Sequence, residues 1–383
     1  MPSTHTPASN VLSLRAKAPA SPCKIVFVTH GEGRGRTVAT DKAFMDRLRE
    51  NDPEMVSQIR THRTGSGPFD FRDVGLIVFW LGDPLRQKYP QCYAEAVQIE
   101  ATASIYGIRV INSPFGLSNT SKADQARIWN PAGLPSAKAE RADCAEDLPA
   151  TASKVGFPCI IRSDDVHCQR GVAIAHCAED VARVAATISF PAAVIAFIDV
   201  QASWRATGDE TSLFSRYHHK ARAIVFGGEV KASHLFFSTD RIVGLSNSVF
   251  AREDTPRRNF ARRFGLGARV VSEMIDADLV HFDAPVAHAD QLVKAVAALG
   301  LDFAAVDYSI MPDGQPVIWE ANPYFYLPSG QQSVFSAERQ AVRRVDETFD
   351  WMAARLKAEF EGALSAGDKS YAEPEMVLLS AAN

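Results

Sequence analysis

The stretch VDYSIMPDGQPVIWEANPYF, Val306 to Phe325, places an Asp on one apolar run and a Glu-x-Asn pair on the next. Val306–Met311 and Pro316–Trp319 both read as strands, and Pro312-Asp313-Gly314 between them is a tight-turn signal. In such a hairpin, Asp307 and the Glu320–Asn322 pair lie on opposite arms, both far from the turn, where they come side by side. Glu320 and Asn322 share a parity, and therefore a face, for as long as the strand persists. Three oxygen ligands gathered there suit Mg²⁺, a hard cation that takes a few carboxylates together with phosphate oxygens and water. On this stretch alone, an ordinary hairpin with solvated polar residues accounts for the pattern equally well.

Working outward, the pattern ADQLVKAVAAL predicts a helix over 289–299 that enters the hairpin through Gly300-Leu301-Asp302. Before it, HHKARAIVFGGEVKASHLFFSTDRIV (218–243) reads as two or three antiparallel strands joined through Gly227-Gly228. Lys220 and Arg222 share one face of the first strand by period two. The charged segment 251–270, with Arg252, Arg257, Arg258, Arg262, Arg263 and Arg269, reads as a surface helix or a lid. Further upstream, VGFPCIIRSDDVHCQRGVAIAH (155–176) is strand, polar loop, strand, and AAVIAFIDV (192–200) is another strand. A Ser/Thr-capped helix starts near Lys122, and a long helix over 337–362 closes the fold.

The first part of the chain has a different rhythm. CKIVFVTH (23–30) is a buried strand followed at once by GEGRGR and the helical pattern TDKAFMDRLREN. The strand GLIVFWLG (75–82), the helix 90–107 and the strand 108–114 follow. This alternation predicts an open α/β unit with a mainly parallel sheet. The loop spacing is G-x-G-x-G rather than the dinucleotide fingerprint and carries little weight. The expected division is a tail over 1–22, an α/β unit over 23–118, a small α+β unit over 119–193, a larger one over 194–365 with the closing helix, and a tail over 366–383.

At 383 residues, 46% hydrophobic and 22% charged, the composition is that of a soluble globular protein. A formal net charge of −4 gives no electrostatic reason to expect nucleic acid or an anionic membrane as partner. No apolar run approaches the roughly 20 residues that span a bilayer. The six cysteines do not form a disulfide framework, and reduced thiols in the cytoplasm are the expectation. His167-Cys168 recurs as His176-Cys177, but the spacing matches no compact zinc pattern.

Taken in order, Ser121-Lys122, GFPCIIR (156–162), VIAFID (194–199), HKAR (219–222) and LGLDFAAVDY…DGQPVIWEANP (299–323) resemble the ATP-grasp superfamily of ATP-dependent ligases. The resemblance covers about Asn119 to Gly330. It implies two α+β units with ATP between them, following an α/β unit. It also implies that Asp307, Glu320 and Asn322 hold Mg²⁺ (one ion or two, with Mn²⁺ as a substitute), and that Lys122 and Arg162 contact phosphates with His167 in the loop above them. Arg162 stands where most members carry a lysine. The adenine-contacting strand corresponds to Ala196, Phe197, Ile198 and Asp199, and here Ala196 replaces the usual Glu or Gln. Lys220 and Arg222 face the transferring phosphate or the substrate carboxylate.

The implied reaction is carboxylate activation: a carboxylate of a small molecule or peptide takes the γ-phosphate of ATP, and an amine then displaces phosphate to give an amide. Many enzymes of this class are dimers, so a homodimer is expected. No side-chain nucleophile is needed, which agrees with the absence of a Ser-His-Asp or Cys-His set. Three other readings stay open on the sequence. They are a phosphotransferase on the same fold, a nucleotide-binding protein without turnover, and an α/β binding module whose hairpin is only structural.

Overall fold

The computed structural model describes residues 24–31, 39–165, 172–201, 217–244, 247–248, 268–327 and 336–370. Among the described residues, twelve strands, numbered in chain order, form three four-stranded sheets. The first contains β1 (Lys24–Thr29), β2 (Ile59–Arg63), β3 (Val74–Phe79) and β4 (Arg109–Ile111), in the order β2-β1-β3-β4 and parallel throughout. Its inner strands are continuous apolar runs, KIVFVT and VGLIVF, as strands covered on both faces require.

The second sheet is β5 (Ala139–Ala142), β6 (Cys159–Ser163), β7 (Ala173–Ala175) and β8 (Ala192–Ala196), antiparallel in the order β5-β8-β6-β7. Strand β6 alternates strictly between buried and half-exposed residues. Cys159 and Ile161 turn into a core shared with the helices Leu148–Val155 and Ala178–Ala185. Ile160 and Arg162 turn the other way.

The third sheet is β9 (His218–Phe226), β10 (Glu229–Ser238), β11 (Phe303–Ile310) and β12 (Pro316–Asn322), antiparallel in the order β10-β9-β11-β12. The first and third sheets share two hydrophobic cores. One runs from Ile77 and Phe79 to Val225, Val306 and Ile318; the other joins Phe27 and Leu76 to Phe226, Phe303 and the closing helix through Phe349 and Leu356. The second sheet has a core of its own.

A polar clasp joins the first sheet to the third. Asn112, just past β4, sits at φ 61°, a left-handed conformation that Asn tolerates better than most residues. Its Oδ1 accepts from the backbone N–H groups of Asp302 and Phe303, both at 3.0 Å, and its Nδ2 donates to Phe303 O at 2.9 Å. The Asp302 carboxylate answers by accepting from Asn112 N at 2.8 Å and from Arg109. Nearby, a Cβ on Gly116 would lie 2.1 Å from Gly300 O, so only glycine permits this approach.

The fold class expected from the sequence is the one found. Several details differ. The 218–243 stretch forms two long strands, the strand expected over 192–200 ends at Ala196, and β12 runs on to Asn322. Strands β2 and β5 were not anticipated; both are sheet edges, and IRTHR and AERA carry no apolar run to announce them. His167 and most of the arginine-rich segment, residues 251–267, lie outside the described residues, as do both expected tails except 366–370 and the loop after Gly31.

Asn112→Ala is expected to lower unfolding stability by about 2–4 kcal/mol, because three hydrogen bonds are lost and two backbone N–H groups are left buried. Urea denaturation measures it; a midpoint equal to that of the wild type would show that the clasp is not under load.

Candidate active site

An open cleft with about 110 Å³ of water-accessible space lies between the second and third sheets. Its apolar part is formed by Ile160, Ile195, Phe197, Ile198 and Ile318, among others. Its polar part is unusual in sign. Among the described residues lining it, Lys122, Arg162, Lys220 and Arg241 face one carboxylate, Glu320. Such a wall attracts an anion.

Each cation is placed by local structure. Lys122 opens the helix Lys122–Trp129, which Ser121 caps by accepting from Asp124 N at 3.2 Å. The next N–H, that of Ala123, donates to Asp164 Oδ1 at 3.0 Å, tying the helix start to the end of β6. Gln125 fixes the helix to β12: its Oε1 accepts from Ala321 N at 2.7 Å and its Nε2 donates to Ala321 O at 3.2 Å and Thr120 O at 2.7 Å. Lys122 is thereby held against Glu320, Nζ to Oε2 3.7 Å, with only 2% of its side chain exposed. Nζ has no hydrogen-bond partner among the described residues. Burial lowers its pKa below the ordinary lysine value; Glu320 opposes that and Arg162 adds to it.

On β9, Lys220 and Arg222 turn to the cleft side while Ala221 and Ala223 enter the core. Arg222 is the register partner of Asp307, and Asp307 that of Glu320. The Asp307 carboxylate, fully buried, accepts from Lys220 Nζ at 2.8 Å and from Arg222 Nε and Nη2 at 2.6 and 3.0 Å. Arg222 Nη1 donates to Tyr326 O at 2.9 Å. A bulge follows: Asp307 pairs with Glu320 but Tyr308 with Ile318, leaving Trp319 as the extra residue. Consequently Ile318, Trp319 and Glu320 all line the cleft, which strict alternation would forbid. Asn322, two residues past Glu320 and the register partner of Ala305, is buried on the same arm.

Of the residues singled out from the sequence, Lys122, Arg162, Phe197, Ile198, Lys220 and Glu320 line the cleft together. Arg222 and Asp307 join them through Lys220. Ala196 ends β8, and its N–H is spent on Lys138 O at 2.8 Å. Asp199 is turned toward His218, 3.2 Å from Nε2, and accepts from Gln201 N; it is not among the cleft-lining residues. Gln125 and Arg241 were not anticipated, since a glutamine inside a helix and an arginine in a turn carry no local signal.

His219 lies beneath the cleft floor. Its Nε2 accepts from Ile310 N at 2.9 Å, Ser309 Oγ donates to its carbonyl at 2.8 Å, and Trp319 Nε1 donates to Ser309 Oγ at 2.8 Å. Burial, aided by His281 and His218 and opposed by a backbone bond at Val200, pushes its pKa down from 6.5 to about 3.

No protein-family model matches the sequence, and no curated protein matches it. Solved structures of ATP-grasp ligases are similar in outline. D-alanine–D-alanine ligase from Bacillus anthracis, complexed with ATP, aligns with a TM-score of 0.47 at 15% identity, covering 91% of this chain and 99% of that one. The ATP-grasp ligase PsnB, complexed with a minimal precursor, gives 0.46 at 13% identity over 87% of this chain and 99% of its own. N5-carboxyaminoimidazole synthase from Aspergillus clavatus gives 0.43 at 12% identity over 79% of this chain and 70% of its own.

A buried neutral histidine makes stability pH-dependent. The folded pKa is depressed, so the unfolded chain binds more protons between about pH 6.5 and 3, and stability falls as pH falls through that window. One histidine contributes a slope of at most about 1.4 kcal/mol per pH unit. His219→Gln, which keeps an acceptor for Ile310 N, is expected to show a smaller loss of urea midpoint between pH 7.5 and 5.0 than the wild type. Equal losses would remove His219 from the titration.

Proposed function

We propose that the protein is an ATP-dependent ligase of the ATP-grasp kind, binding Mg-ATP in the cleft between the second and third sheets and joining a carboxylate to an amine. The observation that carries this reading is the polar half of the cleft, where Lys122, Arg162 and Lys220 converge on Glu320 with Arg222 and Asp307 alongside. A buried ammonium without a hydrogen bond, Lys122 Nζ, is what a phosphate oxygen would satisfy. The apolar half accommodates a base.

The donor set also fits the metal. Asp307 and Glu320 are hard oxygen donors paired across one hairpin, and Asn322 stands two rows further along the same arm as Glu320. When bound there with ATP, Mg²⁺ would neutralise charge on the terminal phosphates and hold the transferred group in line. The remaining work belongs to the side chains. Lys122 and Arg162 hold the inner phosphates, the guanidinium of Arg162 offering a planar fork where a lysine would offer a point charge. Lys220 and Arg222, held on the cleft side of the sheet by Asp307, would pass from that carboxylate to the phosphates and stabilise charge building on the transferred phosphoryl group. The attacking substrate carboxylate becomes an acylphosphate as ADP leaves, and the amine then displaces phosphate. Exclusion of water protects that intermediate from hydrolysis.

Asp307→Ala and Glu320→Ala are each expected to lower substrate-dependent ADP release by on the order of 100-fold or more, with circular dichroism unchanged. The assay is run with Mg-ATP across a panel of carboxylates with and without amines. Near-normal release in either variant would overturn the metal assignment.

Asp307 accepts three charge-assisted hydrogen bonds, so its carboxylate would be free to hold Mg²⁺ only once a bound polyphosphate offered Lys220 and Arg222 another anionic partner, and the order expected is polyphosphate with the cation rather than cation alone. Calorimetry is expected to give binding heat for Mg²⁺ with the imido analogue of ATP and none for millimolar Mg²⁺ alone. Binding of the free cation would contradict this order.

A further inference from the structure

We propose that Gln125 is a positioning residue for the cleft: it pins the bulged arm of the β11–β12 hairpin and so sets Glu320 and Lys122 against each other. The inference rests on the nucleotide reading above and adds to it what fixes the metal side of the site. Strand β12 is an edge of the third sheet, so its outer rim faces no further strand among the described residues. Two points on that rim are nevertheless tied down. Ile318 N donates to Pro135 O at 2.7 Å, and Ser136 bridges to Ile318 in parallel. Ala321 N donates to Gln125 Oε1 at 2.7 Å, and Gln125 Nε2 donates back to Ala321 O at 3.2 Å. The side-chain amide does for Ala321 what a neighbouring strand would do.

The two ties stand on either side of the bulge. Between them lie Trp319, the residue left over, and Glu320, which the bulge turns into the cleft. A bulge interrupts the ladder, and a slip of one residue would exchange the faces of Glu320 and its neighbours. The tie at Ala321 is the nearer one, set between Glu320 and Asn322. Gln125 makes it from a fixed frame. It is 1% exposed, and its Nε2 also donates to Thr120 O at 2.7 Å. Its helix is capped by Ser121 at one end, and at the other the buried Trp129 donates Nε1 to Ala295 O at 2.8 Å. Lys122 lies three residues before Gln125, on the same face of the helix. The bonds that fix Ala321 therefore also bring Lys122 Nζ to 3.7 Å from Glu320 Oε2. Gln125 and Ala321 are not among the described residues lining the cleft, so the amide acts through Glu320 and Lys122.

The test is calorimetric binding of the imido analogue of ATP to the full chain over a range of Mg²⁺ concentrations. Gln125→Met keeps the length of the side chain and drops its hydrogen bonds; Gln125→Ala drops both. Each is expected to need on the order of 10- to 100-fold more Mg²⁺ than the wild type for half-maximal binding, the usual cost of losing a partner that orients a metal ligand. Asn112→Ala, whose clasp joins the first and third sheets, is expected to lose stability and keep the wild-type Mg²⁺ requirement. An unchanged requirement in Gln125→Met overturns the inference. So does an equal rise in Asn112→Ala, which would make the effect one of stability alone. If the analogue does not bind the wild type at any Mg²⁺ concentration, the nucleotide reading itself fails and takes the inference with it. Where neither Gln125 variant folds, NMR-detected hydrogen exchange on the wild type decides: the Ala321 amide is expected to exchange as slowly as the amides of β11, and fast exchange would show that Gln125 does not hold it.

Discussion

The contact between Asp307 and the pair Lys220–Arg222 governs the third sheet. A fully buried carboxylate is stable only where charge and hydrogen bonds compensate the water it gave up. Asp307 finds both across a single strand pairing, from residues that share its face of the sheet. Removing one member of such a group strands the others, at a cost of about 3–5 kcal/mol. The same alternation on β9 that sends Lys220 and Arg222 to this face sends Ala221 and Ala223 into the core. Core packing and cation placement are therefore one constraint: a register slip of one residue would bury the cations and expose the alanines.

The rest of the charged wall is fixed by backbone rather than by ion pairs. Gln125 bonds to both backbone groups of Ala321 and carries the helix start, with Lys122, up to β12. Asp164 accepts from the same helix start, where the N-terminal dipole favours a carboxylate, although its burial raises its own pKa. Lys122 and Glu320 meet at 3.7 Å because two frames are bolted together around them. The second sheet stands apart in this respect. It has its own core, reaches the cleft through Ile160, Arg162 and Ile195, and is tied to the helix start through Asp164.

The sequence displayed this arrangement unevenly. The 306–325 hairpin was legible because a turn tripeptide and two apolar runs set its register, and because Asp307, Glu320 and Asn322 are conspicuous there. The bulge at Trp319 was not, since nothing in PVIWEAN marks which residue is left over. Strands β2 and β5 escaped notice because an edge strand needs only one covered side, and both are rich in Arg, His, Glu or Thr. Arg162 was visible as the end of an apolar run. Gln125 and Arg241 depend on where helix, turn and sheet finally meet, which no local pattern encodes.

Arg162 brings these points together. A lysine at the end of β6 would be a strongly hydrated point charge whose protonation yields readily to burial, and Lys122 in the same cleft is already pushed toward the neutral form by burial and by Arg162 itself. Two lysines facing one another there would compete for a single proton whenever no anion lay between them. A guanidinium yields its charge less readily than an ammonium does, and burial first, then Arg162, press Lys122 downward. The cleft thus keeps one permanent cation on the second sheet, one adjustable cation on the helix and a carboxylate-braced pair on the third sheet. On the nucleotide reading proposed above, this graded set of charges would meet a polyphosphate without all four cations having to be desolvated and charged in its absence.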